Sequence, residues 1–347
     1  MLKITKTLQQ IAVKIQMSKT YILIDFSNLF HRMKHTSMKN STIDERLGMV
    51  MHQMLSGVTS VWNKFNADHC IFALEGSSWR KQFYPEYKLN RKIKTLQKTE
   101  AEIEVDEQFQ MAANSFVEFL QKKTATTVVR AQDAEADDVI ATFIMDRPKD
   151  IHIIVSTDSD FYQLVGNNTT IYDPMKMQFI TNQGVYDDKF KPVIDKKTGK
   201  HKVLGDPEYI LFKKLFRGDA SDHIKSAYPR IPEKSTKNRV GIDEVFADRH
   251  SKQFAWNTVM LSEWVDHKQQ VHVVKDDFIR NKILIDFNEI PDVIRNQVRN
   301  AIDEEASKEI IIRNIGFSFM QFCGKWGLER ISQNAEYYSA FLSKPFV

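Results

Sequence analysis

The stretch Tyr21-Ile22-Leu23-Ile24-Asp25 is a short apolar run that ends on a carboxylate, and four similar runs follow it: His69 to Leu74, Thr126 to Val129, Ile151 to Ser156 and Thr169 to Tyr172. Between them the apolar residues change period. Phe109, Ala112, Ala113, Phe116, Phe119 and Leu120 fall at helical spacing, as do Ala136, Val139, Ile140, Phe143 and Ile144. Strands alternating with helices predict an α/β fold over residues 19–185, with a mainly parallel, twisted sheet flanked by helices.

A polar, lysine-rich stretch from Asp187 to Lys202 interrupts this alternation, and no comparable sheet follows. Residues 186–347 read as short helices and loops, a smaller α-rich domain. The opening Met1 to Met17 is basic, with no acid, no arginine and no continuous apolar segment. It is expected to form an N-terminal helix over 1–18 rather than a targeting peptide.

At 347 residues, 42% hydrophobic and 27% charged, the chain has the composition of a globular protein with one large domain or a core plus an appendage. No apolar run approaches the roughly 18 to 20 residues that span a bilayer. Two cysteines, Cys70 and Cys323, are too few for a disulfide framework, so a cytoplasmic setting is expected, the host's if the chain is viral. The net charge is only +4. If nine of the 45 acids gather in one site, however, the rest of the surface is strongly basic, as in a polyanion binder built around an acidic pocket.

The acids that suggest such a pocket are placed by the strands. Asp25 ends the first run, Glu75 follows the second, and Asp158 lies just past the fourth with Asp160 beyond it. The carboxyl ends of parallel strands converge on one crevice, so these acids are expected to meet there. Each alone suits a turn or a helix N-cap. Together they form a set of like charges that resists joint ionisation unless cations bind between them. Glu135-Ala136-Asp137-Asp138 opens the helix after the third run, with Asp133 as a candidate N-cap, and three acids in four residues exceed what capping needs. Asp219 and Asp222, in Gly218 to His223, read in isolation as a turn into a helix; beside the other acids they become donors to a second metal ion. Such oxygen donors suit Mg²⁺, with Mn²⁺ as the alternative, and two ions about 4 Å apart can activate a water and stabilise the leaving oxygen of a phosphodiester. ILIDF occurs at 22–26 and again at 283–287, but the flanks differ, so Asp286 is expected to be a loop or cap residue.

Residues 79–98 carry seven Lys or Arg, among them Arg80, Lys81, Lys88, Arg91 and Lys92, against the single acid Glu86. With Pro85 in a first helical turn, Tyr84, Tyr87, Lys88 and Arg91 would share one face suited to a single strand, phosphates on the cations and bases on the rings. The plainer reading is a solvated face with tyrosines on the core. Glu100, Glu102, Glu104, Asp106 and Glu107 follow, giving an arch-like excursion at about 80–108. A second basic segment, Lys225, Arg230, Lys234, Lys237 and Arg239, is placed to hold duplex phosphates.

In order, LIDFSNL, WRKQFYPEYKLNR, EADD, STDSDFYQL, GDASDHI and ILIDFNEIPDVI run from about residue 20 to 300. This ordered set resembles the flap-endonuclease superfamily of 5′-nucleases, and within it the ribonuclease H type of T-even bacteriophages. The resemblance implies a PIN-like core and two Mg²⁺ ions, one near Asp25, Glu75, Glu135, Asp137 and Asp138, the other near Asp158, Asp160, Asp219 and Asp222. It also implies catalytic roles for Asp25, Asp158, Lys88 and Arg91, and a helix-hairpin-helix-like duplex clamp. The implied function is metal-dependent 5′ to 3′ removal of RNA primers and 5′ flaps from DNA and RNA–DNA hybrids, by a monomer working beside a sliding clamp and a single-strand-binding protein. Two departures stand out: Glu75 occupies a position where the family usually has Asp, and KSAYPRIPEKSTKNRVGI replaces the family's glycine hairpin, with its K⁺ site. A phosphatase of the haloacid-dehalogenase type would want an Asp two residues after Asp25, where Ser27 stands. The non-enzymatic alternative is a catalytically inactive branched-DNA-binding protein.

Overall fold

The computed structural model describes residues 18–37, 41–308 and 314–346. The expected N-terminal helix falls outside them except for Ser18.

Five parallel strands, β1 (Thr20–Asp25), β2 (His69–Ala73), β3 (Thr127–Val129), β4 (Ile151–Val155) and β5 (Thr169–Asp173), lie in the order β3-β2-β1-β4-β5. Two antiparallel strands, β6 (Gln178–Thr181) and β7 (Gly184–Asp187), extend the β5 edge. The chain leaves β1 toward β2 on one side and reaches β4 on the other, so the topological switch point falls between β1 and β4. There the connecting segments diverge and leave a crevice at the carboxyl ends.

Side-chain alternation along β1 divides the interior. Ile22 and Ile24 join Phe72, Val155 and the helices Phe26–Thr36, Ile43–Phe65 and Glu100–Lys123 in one buried cluster. Tyr21 and Leu23 face the other side, with Ile71, Val129 and the helix Ala136–Asp146. Both long helices start from capping boxes, Thr42 with Glu45 and Thr99 with Glu102, which satisfy amides left open at a helix start.

Two regions differ from the sequence expectation. The lysine-rich stretch from Asp187 to Lys202 folds back on the sheet edge: the Val193 amide donates to the Val185 carbonyl (2.9 Å) and the Val185 amide to the Lys202 carbonyl (2.8 Å). An open edge strand needs such partners, and lysines tolerate the exposed rim. The residues after 186 also divide in their packing. Phe212, Phe216, Ile231, Ile242, Val259 and Phe278 form a third core, which includes a small hairpin of β8 (Glu263–Val265) and β9 (Val271–Val273) near its rim. From Phe287 onward the chain returns to the sheet. Ile294, Val298 and Ile302 of the helix Asp292–Ala306 join the β3 side, and Phe319, Phe322 and Phe341 join the opposite cluster. Among the described residues no helix is long and apolar enough to cross a membrane.

Phe116 ties these layers together, with ring centroids 5.8 Å from Phe26, 6.2 Å from Phe72 and 5.6 Å from Phe322. Phe116→Ala is expected to destabilise the protein by about 3 to 5 kcal/mol in chemical unfolding, because the cavity would open between three elements that cannot all close over it.

Candidate metal centre and nucleic-acid interface

Asp25, the last residue of β1, is buried and accepts from the Ser156 hydroxyl (2.9 Å) just past β4 and from the Asn28 amide (3.3 Å). It therefore caps the following helix and faces the switch-point crevice with the same carboxylate. Asp158 accepts from the Asp160 amide (2.9 Å), capping the 3-10 turn Ser159–Leu164. Glu75, two residues beyond β2, accepts from the Ala136 amide (3.2 Å), and so draws the Ala136–Asp146 helix start to the same rim. Glu135, not Asp133, is the N-cap of that helix, in a reciprocal box with Asp138; Asp133 instead accepts from the Gln297 side-chain amide (3.1 Å).

Asp219 and Asp222 do not lead into a helix. They sit in a tight loop closed by paired backbone bonds between Asp219 and Ile224 (2.9 and 2.7 Å). Gly218 begins the loop at φ +71°, and a Cβ there would lie 2.4 Å from the Ile224 carbonyl, so only glycine fits. The outcome is two acid trios, Glu135/Asp137/Asp138 and Asp160/Asp219/Asp222, each with carboxylate oxygens within 4.8 Å of one another.

Four cations enter this cluster. Arg80 is buried; it grips Asp138 through both terminal nitrogens (2.9 and 2.8 Å), reaches Glu135 (3.0 Å), and donates through Nε to the Leu284 carbonyl (2.8 Å). Lys88 pairs with Glu135 and lies 3.8 Å from Asp222, while Arg91 pairs with Asp222 at 2.6 Å. Lys214 pairs with Asp160, and with Asp219 at 2.6 Å.

The carboxylates respond according to their neighbours. Burial, then repulsion from Glu75, pushes Asp25 up to about 7. Burial likewise raises Asp160 to about 6, against the pull of Lys214, and holds Asp137 well above the usual range. Burial also presses upward on Glu135, but Lys88 and Arg80 outweigh it and bring the group down to about 2. Lys214 does the same for Asp219, also to about 2.

Residues 20–191 match the family model described as the 5′-3′ exonuclease N-terminal resolvase-like domain. Over that stretch, 172 of the 347 residues, the chain is similar to the 5′-nucleases of the flap-endonuclease superfamily. Flap endonuclease Xni of Psychromonas ingrahamii is 30% identical over 179 residues, covering 49% of this chain and 62% of that protein. The Shewanella loihica Xni is 30% identical over 169 residues, covering 46% of this chain and 58% of its own length. The chain thus spans about three fifths of these curated relatives. Among solved structures, the T5 D15 protein co-crystallized with metal ions superposes with a TM-score of 0.53 at 19% identity, over 82% of this chain and 98% of that one. The T5 5′-exonuclease with bound zinc gives 0.54 at the same identity and coverage. These two likenesses show the fold.

In this chain the arch segment departs from a continuous helical face. Residues 85–88 form a turn and Lys88 takes a left-handed φ of 56°, so the helix Leu89–Leu96 starts afresh after it. Tyr87, expected to meet a base, is buried, and its single O–H lies within hydrogen-bond distance of both Glu135 (2.9 Å) and Asp222 (3.0 Å); Arg80, expected to meet phosphate, is enclosed with Asp138. A ring and a guanidinium with such partners are parts of the scaffold. Asp138, expected as a metal ligand, has both oxygens engaged by Arg80, Trp79 (3.2 Å) and the Glu135 amide (3.0 Å). The Lys88 amide donates to the Asp222 carbonyl (2.8 Å), and the Asn90 side chain to Ala220 and Ser221 carbonyls (3.0 and 3.1 Å), which pins the arch to the acidic loop. Lys81 and Lys92 are exposed, and Tyr84 is half-buried beneath Arg280.

In the second basic segment Lys225 pairs with Glu86 (2.9 Å), whereas Arg230, Lys234, Lys237 and Arg239 are exposed. Lys237 and Arg239 line a cavity of about 540 Å³. A larger cavity of about 960 Å³ adjoins Glu75, with Phe30, Lys34, Arg46, Lys98 and Arg130 among its walls. Asp286 accepts from the Asn288 amide (2.9 Å) and caps a short turn, the role expected of it. Sequence reasoning missed Lys214 and Ser156: a lysine on an amphipathic helix and a serine after a strand carry no signal until the fold brings acids to them.

Asp25 makes metal-free stability depend on pH. Its carboxyl takes up a proton near 7 when folded but only near 4 when unfolded, so folding is favoured by protonation at acid pH. That contribution is complete below about pH 4 and is lost as pH rises through 7, by up to about 4 kcal/mol. In chelator, thermal unfolding of Asp25→Asn at pH 8 is expected several degrees above that of the native chain; an equal or lower midpoint would contradict the assignment.

Proposed function

We propose that this chain is a divalent-metal-dependent 5′-nuclease that hydrolyses phosphodiesters at the 5′ ends and flaps of DNA and of RNA–DNA hybrids. The observation that carries the reading is the pair of acid trios, gathered with Asp25, Glu75 and Asp158 around one sheet rim. The family-model match over residues 20–191 and the names of the flap-endonuclease relatives support the same chemistry.

The donors are all carboxylate oxygens, with no imidazole or thiolate in either trio, which fits Mg²⁺ or Mn²⁺ better than softer ions. Asp25, Glu75, Glu135 and Asp137 would hold one ion, and Asp158, Asp160, Asp219 and Asp222 the other. Such ions supply a Lewis acid and a water of lowered pKa. Lys88 and Arg91, which neutralise acids here, would turn to the scissile phosphate, and their pairing with Glu135 and Asp222 stores them beside it. Exposed Lys81 and Lys92 would track a single strand, and Arg230, Lys234, Lys237 and Arg239 a duplex backbone. The family resemblance supports primer and flap removal in the cytoplasm by a monomer, in company with a sliding clamp and a single-strand-binding protein. Residues 19–185 would act as the nuclease core and the third cluster, over roughly 205–286, as the duplex-holding unit.

The test is digestion of a 5′-labelled flap and an RNA–DNA hybrid, with and without Mg²⁺, by the native chain and by an Asp158→Ala, Asp160→Ala double variant. The native chain should cut only with metal, and the variant at least about a hundredfold more slowly. Equal rates would sink the metal assignment, while tight flap binding without cleavage by the native chain would favour the branched-DNA-binding alternative.

A further inference from the structure

Each trio is neutralised from within the chain, Arg80 and Lys88 on the first and Arg91 and Lys214 on the second, but these cations are held in different ways. Lys88 belongs to the arch, at a left-handed turn between the helices Arg80–Phe83 and Leu89–Leu96. Lys214 stands inside the helix Pro207–Arg217, whose Phe212 and Phe216 pack on Phe278 with ring centroids 5.6 and 4.9 Å away. Its neighbours Lys213 and Arg217 turn aside to Glu233 (3.0 and 3.4 Å). Lys214 alone of the three meets the acid cluster, where its ammonium lies between Asp160 and Asp219.

We infer that Lys214 is a resident counter-ion of the second trio: its ammonium occupies the space between Asp160 and Asp219 that a divalent ion would take, and lowers the affinity of that site for the ion. The inference rests on the metal-dependent reading. A divalent ion entering between these carboxylates must either share them with a unit positive charge at contact distance or expel it. Both lower its affinity. The backbone of Lys214 is fixed by the packed helix, so relief comes only from rotation of the side chain. An arriving phosphate offers the displaced ammonium a new partner, so the second ion loads more tightly with nucleic acid present than without it. Lys214 is thus a positioning residue that couples occupancy of the second site to substrate.

The experiment is a Mn²⁺ titration of the full chain, followed by calorimetry and by the electron paramagnetic resonance of free Mn²⁺, for the native protein, Lys214→Met and Lys214→Arg. The native chain should bind Mn²⁺ with the site at Asp160 and Asp219 weakened by Lys214. Lys214→Met should tighten that site by about tenfold or more and leave the other site unchanged. Lys214→Arg, which keeps the charge, should bind as the native chain does, and Lys214→Gln replaces the Met variant if that one fails to fold. A neutral variant that binds the second ion no more tightly than the native chain, or an arginine variant that tightens equally, overturns the inference. If the native chain binds Mn²⁺ and cuts flaps under either of those outcomes, only this inference falls. A native chain that binds no Mn²⁺ removes the metal-dependent reading as well.

Discussion

Repulsion among carboxylates crowded onto one rim of the sheet is the constraint to which the rest of the architecture answers. Asp25, Glu75, Glu135, Asp137, Asp138, Asp158, Asp160, Asp219 and Asp222 cannot share that space as free anions. The chain balances them from within: Arg80 on Asp138 and Glu135, Lys88 on Glu135, Arg91 on Asp222, and Lys214 on Asp160 and Asp219. At Glu135 and Asp219 the contacting cations prevail and the carboxylate stays ionised to low pH, whereas at Asp160 burial outweighs Lys214. At Asp25, where burial and the neighbouring Glu75 prevail, the proton is held to about neutrality.

The same cations join the parts of the molecule. Arg80 connects the base of the arch to the Ala136–Asp146 helix start and, through the Leu284 carbonyl, to the end of the helix Val274–Ile285. Lys214 connects the third core to the turn after β4. Tyr87 belongs to that third core while bonding both trios. The charge of the acid rim, the arch and the seating of the α-rich region are therefore parts of one electrostatic system. A change in charge at the rim will be felt along all three, because the groups that would relax it are the groups that hold the elements together.

The strand-ending acids were legible in the sequence because two local rules coincide: apolar runs of strand length, and acids immediately after them. Asp25, Glu75, Asp158 and Asp160 are found by that reading alone, and Glu135 to Asp138 by their density at a helix start. Arg80 and Tyr87 were open to misreading for a physical reason. A basic, aromatic segment has the same composition whether it faces solvent or folds over acids, and only the distance to Asp138, Glu135 and Asp222 separates the two. The break at Lys88 was hidden too, since a left-handed turn at a lysine is imposed by its anchoring to the Gly218–Asp222 loop rather than by its own preference.

The α/β alternation, the strands that carry acids and the abundance of basic residues around them can be read along the chain, because period and side-chain charge are local properties. Tertiary structure alone decided which acid meets which cation, that Lys214 reaches the second trio, and that the residues after Phe287 return to the sheet. Those outcomes depend on long-range packing, where a side chain's partner is set by how helices and strands close around a shared core rather than by its neighbours along the chain.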